Sequence, residues 1–125
     1  MRYYIKQVKD AQGEDTYKFY PAPVYSYEVT LDMIAAEVSF ATSATAADVK
    51  AVLESFLAIL PKYLIQGNQV NLEALGIFKV TFGGVWHDDA KDVSASDIRN
   101  PRISFLASAD LKDAVLKNLS FSKEA

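Results

Sequence analysis

The residue types best suited to catalysis or metal binding gather in one polar segment of the chain. His87, the single histidine, is followed directly by Asp88 and Asp89, and Ser94 and Ser96 come a few residues later. A histidine placed between a carboxylate and a serine can serve as the general base of a hydrolase, and the same carboxylates can bind a divalent cation weakly. Adjacent residues of a polar loop rarely hold such a geometry. We therefore interpret the segment as a solvent-exposed loop and predict that the protein is not an enzyme.

Other chemistries lack the residues that they require. The sequence has no cysteine, which excludes disulfides, thiolate metal sites and cysteine nucleophiles. Gly83 and Gly84 follow a predicted strand, but no helix pattern begins after them, so they do not form a phosphate-binding loop. No stretch approaches the roughly 20 apolar residues of a membrane helix, and the first residues lack the apolar run of a signal peptide. We predict no cofactor, no metal, no membrane partner and a cytoplasmic location.

Charge limits how the protein can meet nucleic acid. The formal net charge of -3 argues against a broad electrostatic attraction to phosphates. Residues 99–125 nevertheless hold five lysines and arginines against three carboxylates, an excess that a dimer doubles. DNA binding would therefore depend on local clusters of cations. The candidate phosphate contacts are Lys79, Lys91, Arg99, Arg102, Lys112 and Lys117.

The first 28 residues are predicted to form a β-hairpin. Apolar and charged residues alternate over residues 3–9, a polar turn covers residues 10–15, and a second apolar run begins at Tyr17. Pro21 and Pro23 cannot donate to a sheet ladder, so the second strand either ends there or lies at an edge. Six of the seven tyrosines lie in this part of the chain. We expect them to cover the core, the alternative being contact with a protein partner.

Two helices joined by a tight turn are predicted to follow the hairpin. Thr30 is a suitable N-cap for a short first helix, and the segment from Thr45 to Asp48 has the form of a capping box that opens the second. Pro61 either kinks the second helix or begins its last turn. The second helix has an apolar stripe wide enough to face both its own domain and another subunit. That stripe consists of Val49, Val52, Leu53, Phe56, Leu57, Leu60 and Leu64.

Strands and one more helix are predicted for the rest of the chain. The pattern of residues 70–82 indicates two short strands hinged near Gly76. Residues 85–97 are polar and acidic, which is typical of an arm or a long hairpin loop. A returning strand is predicted at residues 102–106. The final helix, capped by Ser108, carries the apolar residues Leu111, Ala114, Val115 and Leu119.

Two features of the arm bear on nucleic-acid binding. Trp86, at the root of the arm, can stack on a base or pack beneath the arm, and we expect packing. Pro101 follows Arg99 and Asn100 directly before the predicted returning strand, at the base of the arm. We expect this proline to stop the sheet ladder where that strand begins rather than to wedge between bases.

Two short segments and their order resemble a known family. Leu75-Gly76-Ile77-Phe78 is similar to the Gly-Phe-Gly-Thr-Phe turn between strands of the HU/IHF family of bacterial nucleoid DNA-binding proteins. The segment Leu111-Lys112-Asp113-Ala114-Val115 is similar to the start of the last helix of that family. The resemblance covers roughly residues 30–120. The hairpin further resembles the N-terminal extension of HU-like domains from Bacteroidetes-type bacteria.

The resemblance implies an α+β fold, an HU/IHF-like intertwined homodimer with a helical base, a three-stranded antiparallel sheet and a β-arm. Residues 1–28 would be an N-terminal β-hairpin extension and residues 29–125 the HU/IHF-like domain. In the family, cationic arms embrace the DNA minor groove, and a proline at each tip bends the duplex. This sequence departs from that pattern, because residues 85–98 hold one lysine, four aspartates and no proline.

Two functions are compatible with the resemblance. The first is an architectural protein of the nucleoid that contacts duplex DNA as a dimer, through the backbone and the minor groove. The second is a dimer of the same fold that has lost strong DNA binding and acts as a protein-interaction module through the tyrosine-rich hairpin. A basic saddle between the arms would favour the first function, and an acidic saddle the second. We predict DNA binding.

Overall fold

The fold is mixed α+β in the computed structural model, which describes residues 1–11 and 16–125. Residues 12–15, which hold most of the predicted hairpin turn, lie outside the described residues. The described part contains three α-helices and two three-stranded sheets. None of these helices is long and apolar enough to cross a membrane.

The N-terminal sheet begins with the predicted hairpin. β1 (Arg2–Lys9) pairs antiparallel with β2 (Tyr17–Val24) over the full length of both strands. Pro21 and Pro23 lie inside β2, which is an edge strand of the sheet. Because an edge strand has N–H groups that no neighbour uses, the two prolines can be accommodated there without losing ladder bonds. The edge position predicted as one alternative is confirmed.

The two ends of the chain meet on this same sheet. β6 (Ser122–Lys123) pairs in parallel with the start of β1, so the strand order is β2-β1-β6. The N-terminal ammonium of Met1 also donates to the carbonyl oxygen of Ser120 at 2.7 Å. The sequence does not predict β6, because a strand of two residues has no periodic pattern and its partner lies at the other end of the chain.

The first two helices begin at their predicted caps. The Thr30 hydroxyl accepts a backbone N–H from the first turn of α1 (Leu31–Ala41), and Thr45 does the same for α2 (Ala46–Ile65). Such caps satisfy N–H groups that have no partner within the helix. Pro61 lies inside α2, which continues for one further turn.

The apolar stripe of α2 divides into a covered part and an exposed part. The covered part, buried or half-buried, consists of Val49, Leu53, Phe56, Leu60 and Leu64. The exposed part consists of Val52 and Leu57. Val52 also lies in line with the exposed residues Ile59 and Tyr63, which are not part of the predicted stripe, and we call these three residues the outer flank of α2. Residues seven and eleven positions apart lie on one side of a helix with 3.6 residues per turn. The single chain therefore leaves a continuous apolar flank of α2 in contact with solvent.

The second sheet is antiparallel, with the order β3-β4-β5. It consists of β3 (Val70–Asn71), β4 (Gly76–Gly84) and β5 (Ile98–Ala107). Gly76 is the first residue of β4 and has a φ of +148°, a backbone conformation that residues other than glycine rarely adopt. The predicted hinge is therefore a backbone geometry that only glycine accommodates easily.

The final helix is shorter than predicted. Ser108 caps α3 (Ala109–Leu116) by accepting the N–H of Leu111 at 3.0 Å, as its sequence pattern indicates. The helix ends before Leu119, so the predicted extension to that residue is wrong. At the end of the helix, the Asn118 side-chain amide donates a hydrogen bond to the Ala114 carbonyl oxygen at 2.8 Å. This bond satisfies a carbonyl group that has no partner within the helix.

Few apolar side chains are covered by the chain alone. The hydrophobic residues buried in the described part are Ala22, Ala35 and Leu64. Phe40 is 93% exposed and Ile65 is 84% exposed. The expectation that the N-terminal tyrosines cover a core is wrong, since five of the six are exposed and Tyr3 is only half-buried. Four of the six lie on the strands of the N-terminal sheet, which packs mainly within itself.

Candidate nucleic-acid interface

Strands β4 and β5 form a ribbon with one cationic face. The register places Lys79 opposite Ser104 and Thr81 opposite Arg102, so these four side chains lie on the same face. Neither strand contains an aspartate or a glutamate. We call this surface the cationic ribbon face. It is locally positive in a chain with a net charge of -3, which is the sign needed for contact with phosphates.

The opposite face of the ribbon is apolar. Phe78, Val80, Ile103 and Phe105 alternate with the polar residues along the two strands. The rings of Phe78 and Phe105 lie side by side, with centroids 4.6 Å apart. Val80, Ile103 and Phe105 are all exposed in the single chain. Two-sided strands of this kind normally place their apolar face on another layer of protein.

Arg99, Asn100 and Pro101 lie within β5, near the end of the ribbon that joins the loop. The expectation that Pro101 marks the start of the returning strand is wrong, because that strand already begins at Ile98. The ladder is irregular opposite these residues, and Asn100 has a φ of +52°. A bulge on an edge strand tolerates a proline, since no neighbouring strand needs its N–H. The triplet thus lies in the irregular part of β5, next to the loop of residues 85–97, at the base of the predicted arm.

The loop between the two strands is ordered around one carboxylate. Asp97 accepts a hydrogen bond from His87 Nε2 at 3.0 Å and from the backbone N–H of Ser94 at 2.9 Å. The Val85 N–H also donates to the Asp97 carbonyl at 3.1 Å. The loop also contains two short 3-10 turns, Ala90–Asp92 and Ala95–Asp97. The predicted long hairpin loop is therefore closed on itself.

His87 pairs with a different residue from those suggested by the sequence. Its partner is Asp97, ten positions along the chain, rather than the adjacent Asp88 or Asp89. The signal for Asp97 was the Ser94-x-x-Asp97 spacing, in which a carboxylate reaches back to the start of a helical turn. Within residues 1–11 and 16–125, no three metal-binding side chains come together.

Trp86 lies uncovered at the end of the ribbon. Its side chain is 96% exposed, so the expectation that it packs beneath the arm is wrong. The residues on either side, Val85 and His87, both contact Asp97. The end of the ribbon that joins the loop thus presents a large aromatic ring.

Comparison with known proteins assigns the chain to a family. Residues 1–123 match a family model described as "HU domain fused to wHTH, Ig, or Glycine-rich motif", named HU-HIG. The chain belongs to the HU-HIG family. The match confirms the resemblance to HU proteins that the sequence indicates, and it includes the N-terminal hairpin. No curated protein matches the chain.

A solved structure shares the fold of this HU-HIG chain. It is the crystal structure of a proposed bacterial DNA-binding protein from Bacteroides vulgatus. The TM-score is 0.60 at 15% sequence identity, and the match covers 98% of this chain. It covers 47% of the Bacteroides chain, so the HU-HIG chain spans about half the length of that protein. At this identity the likeness establishes a common fold.

The HU-HIG fold brings only part of the predicted cationic set together. Lys79 and Arg102 share the cationic ribbon face, whereas the Arg99 guanidinium donates to the backbone carbonyls of Ser96 and Ile98. Lys112 lies apart from this face, on α3. Two other cations form ion pairs with acidic residues that are close in the sequence. The pairs are Lys91 with Asp89 at 3.5 Å and Lys117 with Asp113 at 3.6 Å. The ribbon face is therefore the strongest candidate for phosphate contact.

The closed loop of the HU-HIG arm should respond to pH through Asp97. Hydrogen bonds from His87 and from the Ser94 backbone lower the pKa of Asp97 below its ordinary value of 3.8. A lowered folded pKa stabilises the loop above pH 3.8, and this stabilisation is lost as the pH falls through the folded pKa. We expect His87→Ala to raise the pKa of Asp97, as measured by NMR titration of its carboxyl carbon.

A matched change in the same loop controls for this prediction. Asp88→Asn also removes a titrating side chain next to His87, but Asp88 is not the partner of Asp97. The pKa of Asp97 in the Asp88→Asn variant should equal that in the unmodified protein. Because the Ser94 N–H also lowers the Asp97 pKa, the informative result is the change: an Asp97 pKa identical in His87→Ala and in the unmodified protein would contradict the hydrogen bond between the two side chains.

Proposed function

We propose that the chain is an HU-like architectural DNA-binding protein that acts as a homodimer in the bacterial nucleoid. The observation that carries this proposal is the cationic ribbon face, where Lys79 and Arg102 lie together on strands without carboxylates. Membership of the HU-HIG family supports the same conclusion. The contacts would be to the backbone of duplex DNA, since point charges on a sheet carry little information about base sequence.

Dimer formation would cover the apolar surfaces that one chain leaves open. The outer flank of α2 and the apolar ribbon face are both exposed, and neither is interrupted by a charged side chain. A protein of 125 residues ordinarily buries well over half of the surface of its extended chain, with many large side chains in the core. We propose that the helices of two chains intertwine, with residues 29–125 as the dimer-forming domain and residues 1–28 as its extension.

Trp86 and the more distal cations would act at the ends of the arms. An exposed aromatic ring can stack on a base or insert at a base step of a widened minor groove. Arg99 lies at the same end of the ribbon as Trp86. We propose Lys79 and Arg102 as the principal contacts. The secondary contacts would be Arg99, Lys91, Lys112 and Lys117.

The test is the salt dependence of duplex binding. Lys79→Ala with Arg102→Ala removes four cations from a dimer, and each lost phosphate contact lowers the slope of log affinity against log salt by about 0.9. We expect the double variant to reduce the slope by up to about 4 and the affinity by at least about tenfold at low salt. Fluorescence anisotropy of a labelled mixed-sequence duplex measures both, and Trp86 fluorescence reports whether the ring meets a base.

Lys62→Ala provides the charge control for this experiment. Lys62 lies on α2, on the side away from the covered stripe, and its removal changes the charge of the protein without touching the ribbon. Its salt slope should match that of the unmodified protein. If the unmodified chain does not bind duplex DNA even at low salt, the fold serves a different partner, and protein interaction through the tyrosine-rich hairpin becomes the leading explanation.

A further inference from the structure

The N-terminal sheet has its own segregation of charge. β1 and β2 together hold Arg2, Lys6, Lys9 and Lys18 and contain no carboxylate. The sequence between the two strands holds three acidic residues, at positions 10, 14 and 15. Four of the 13 lysines and arginines of an acidic chain therefore lie on two short strands. Such a local excess favours a polyanionic partner.

The strand register places most of these cations on one face, between tyrosine rings. Lys6 lies opposite Tyr20, Val8 opposite Lys18, and Tyr4 opposite Ala22. Because side chains alternate along a strand, Arg2, Tyr4 and Lys6 project on the same side of β1. We call this surface the hairpin basic face. It is composed of Arg2, Tyr4, Lys6, Lys18 and Tyr20, together with the smaller Val8, Ala22 and Val24.

The groups of the hairpin basic face are close enough to act together. Lys6 Nζ lies 5.6 Å from the centroid of the Tyr20 ring. The side-chain hydrogen bond with Tyr20 raises the pKa of Lys6 above its ordinary value. Tyr4 and Tyr20 are 42% and 45% exposed. Rings held beside cations and open to solvent can stack on a planar group while the cations neutralise its phosphates.

The reverse side of the same sheet differs in character. It is largely apolar, with Tyr3, Ile5 and Phe19 on its strands. A groove of about 720 Å³ is lined by these residues and also by Arg2, Tyr20 and Ala22 of the hairpin basic face. The strand residues of the reverse side also include Tyr17 and two cations, Lys9 and Lys123 of β6. Each key group of the hairpin basic face therefore has a counterpart of the same type on the reverse side, which provides matched controls.

We propose that the hairpin basic face binds single-stranded nucleic acid, with bases on the tyrosine rings and phosphates on the lysines. Unpaired bases present their flat faces to a sheet, whereas the bases of a duplex are stacked on one another and shielded. An acidic protein segment would match the charge, but it would make no use of two exposed rings beside the cations. This activity is separate from duplex binding by the ribbon, and it stands or falls independently of the proposed function.

Two acidic residues flank the strands of the face, Asp10 after β1 and Glu124 after β6, beside Tyr4. Asp10 forms an ion pair with Lys18 at 3.7 Å, although the Lys18 side chain stays 77% exposed. Glu124 follows β6 and donates its backbone N–H to the Tyr3 carbonyl at 2.8 Å. The centre of the face, at Lys6, Tyr4 and Tyr20, is where we place the strongest contacts.

The experiment uses the full chain and a labelled oligothymidylate of about 15 nucleotides, a length within the usual site size of such surfaces. Tyr20→Ala should weaken binding at least fivefold, the lower end of the effect of losing one stacked base. Lys6→Ala should weaken binding and reduce its salt slope. Tyr17→Ala and Lys9→Ala, the counterparts on the reverse side, should change affinity by less than about twofold. Tyr20→Phe, which keeps the ring, should restore most of the affinity lost in Tyr20→Ala.

The outcomes separate this proposal from its competitors. Absence of oligothymidylate binding at low salt overturns it, and so does an equal loss in the variants of both sides, which would indicate general attraction by charge. Competition by polyglutamate as effective as that by oligothymidylate would identify an acidic protein as the partner instead. The double variant Lys79→Ala with Arg102→Ala should keep its affinity for oligothymidylate, because it leaves the hairpin untouched.

Discussion

Gly76→Ala should destabilise the folded protein by on the order of 3 kcal/mol, combining backbone strain with overpacking. A Cβ at this position would overlap the Leu106 carbonyl and lie 2.7 Å from the Phe105 ring, and the backbone φ of +148° is itself unfavourable for alanine. Relief would require moving the backbone of β5, because a carbonyl cannot rotate out of the way as a side chain can. Urea denaturation at a fixed protein concentration measures the loss, since stability depends on concentration in an associating protein.

Two other glycines isolate the causes. Gly67 has a φ of +86° and open space around its Cβ position, so Gly67→Ala tests backbone conformation alone and should cost about 1 kcal/mol. Gly83 would place a Cβ at an ordinary 3.8 Å from the Arg99 carbonyl, and Gly83→Ala should change stability by less than about 0.5 kcal/mol. A Gly76→Ala variant no less stable than Gly67→Ala would mean that β4 and β5 separate near this residue in solution.

Ile59→Asp should abolish the proposed dimer. Ile59 is 50% exposed in the single chain, at the middle of the outer flank of α2. If this flank lies in a dimer interface, the substitution places an unpaired carboxylate in an apolar environment at a cost of several kcal/mol. We expect the unmodified chain to sediment as a dimer at micromolar concentration. The variant should sediment as a monomer or lose its cooperative unfolding transition, as obligate dimers do when their interface fails.

Ala58→Asp is the matched control, because it introduces the same charge one residue away. Position 58 lies on the side of α2 opposite the covered stripe, where Ala51 and Lys62 also lie. Its alanine is exposed, and its variant should remain dimeric with little change in stability. A dimeric Ile59→Asp with unchanged stability would place the interface elsewhere. A monomeric unmodified chain would contradict the dimer itself.

Local sequence signals predict the starts of helices well in this fold. Thr30, Thr45 and Ser108 were all identified as caps, and each accepts the expected backbone N–H. Gly76 was identified as a hinge for similar reasons, since a conformation restricted to glycine depends on the residue itself. Signals of this kind depend on a few neighbouring residues, so they can be recognised without knowing how the rest of the chain folds.

Features that depend on distant residues could not be predicted in the same way. The bulge that accommodates Pro101 depends on the register of β5 against β4, and the partner of His87 depends on where the loop closes. The exposure of Trp86 follows from that closure as well. Within the candidate site, the sequence identified Lys79 and Arg102 but not their common face, because the strand pairing that unites them is a long-range contact.

The N-terminal sheet is protected against pairing with the strands of other molecules. On one side, β2 carries Pro21 and Pro23, which offer no N–H donors to an incoming strand. On the other side, β6 covers the first residues of β1, and the uncovered remainder carries Lys6 and Lys9. Charged side chains and proline on exposed edges both resist ordered aggregation. Removal of Ser122 and Lys123 would expose the start of β1, so a variant without β6 should self-associate through this strand more readily than the unmodified chain.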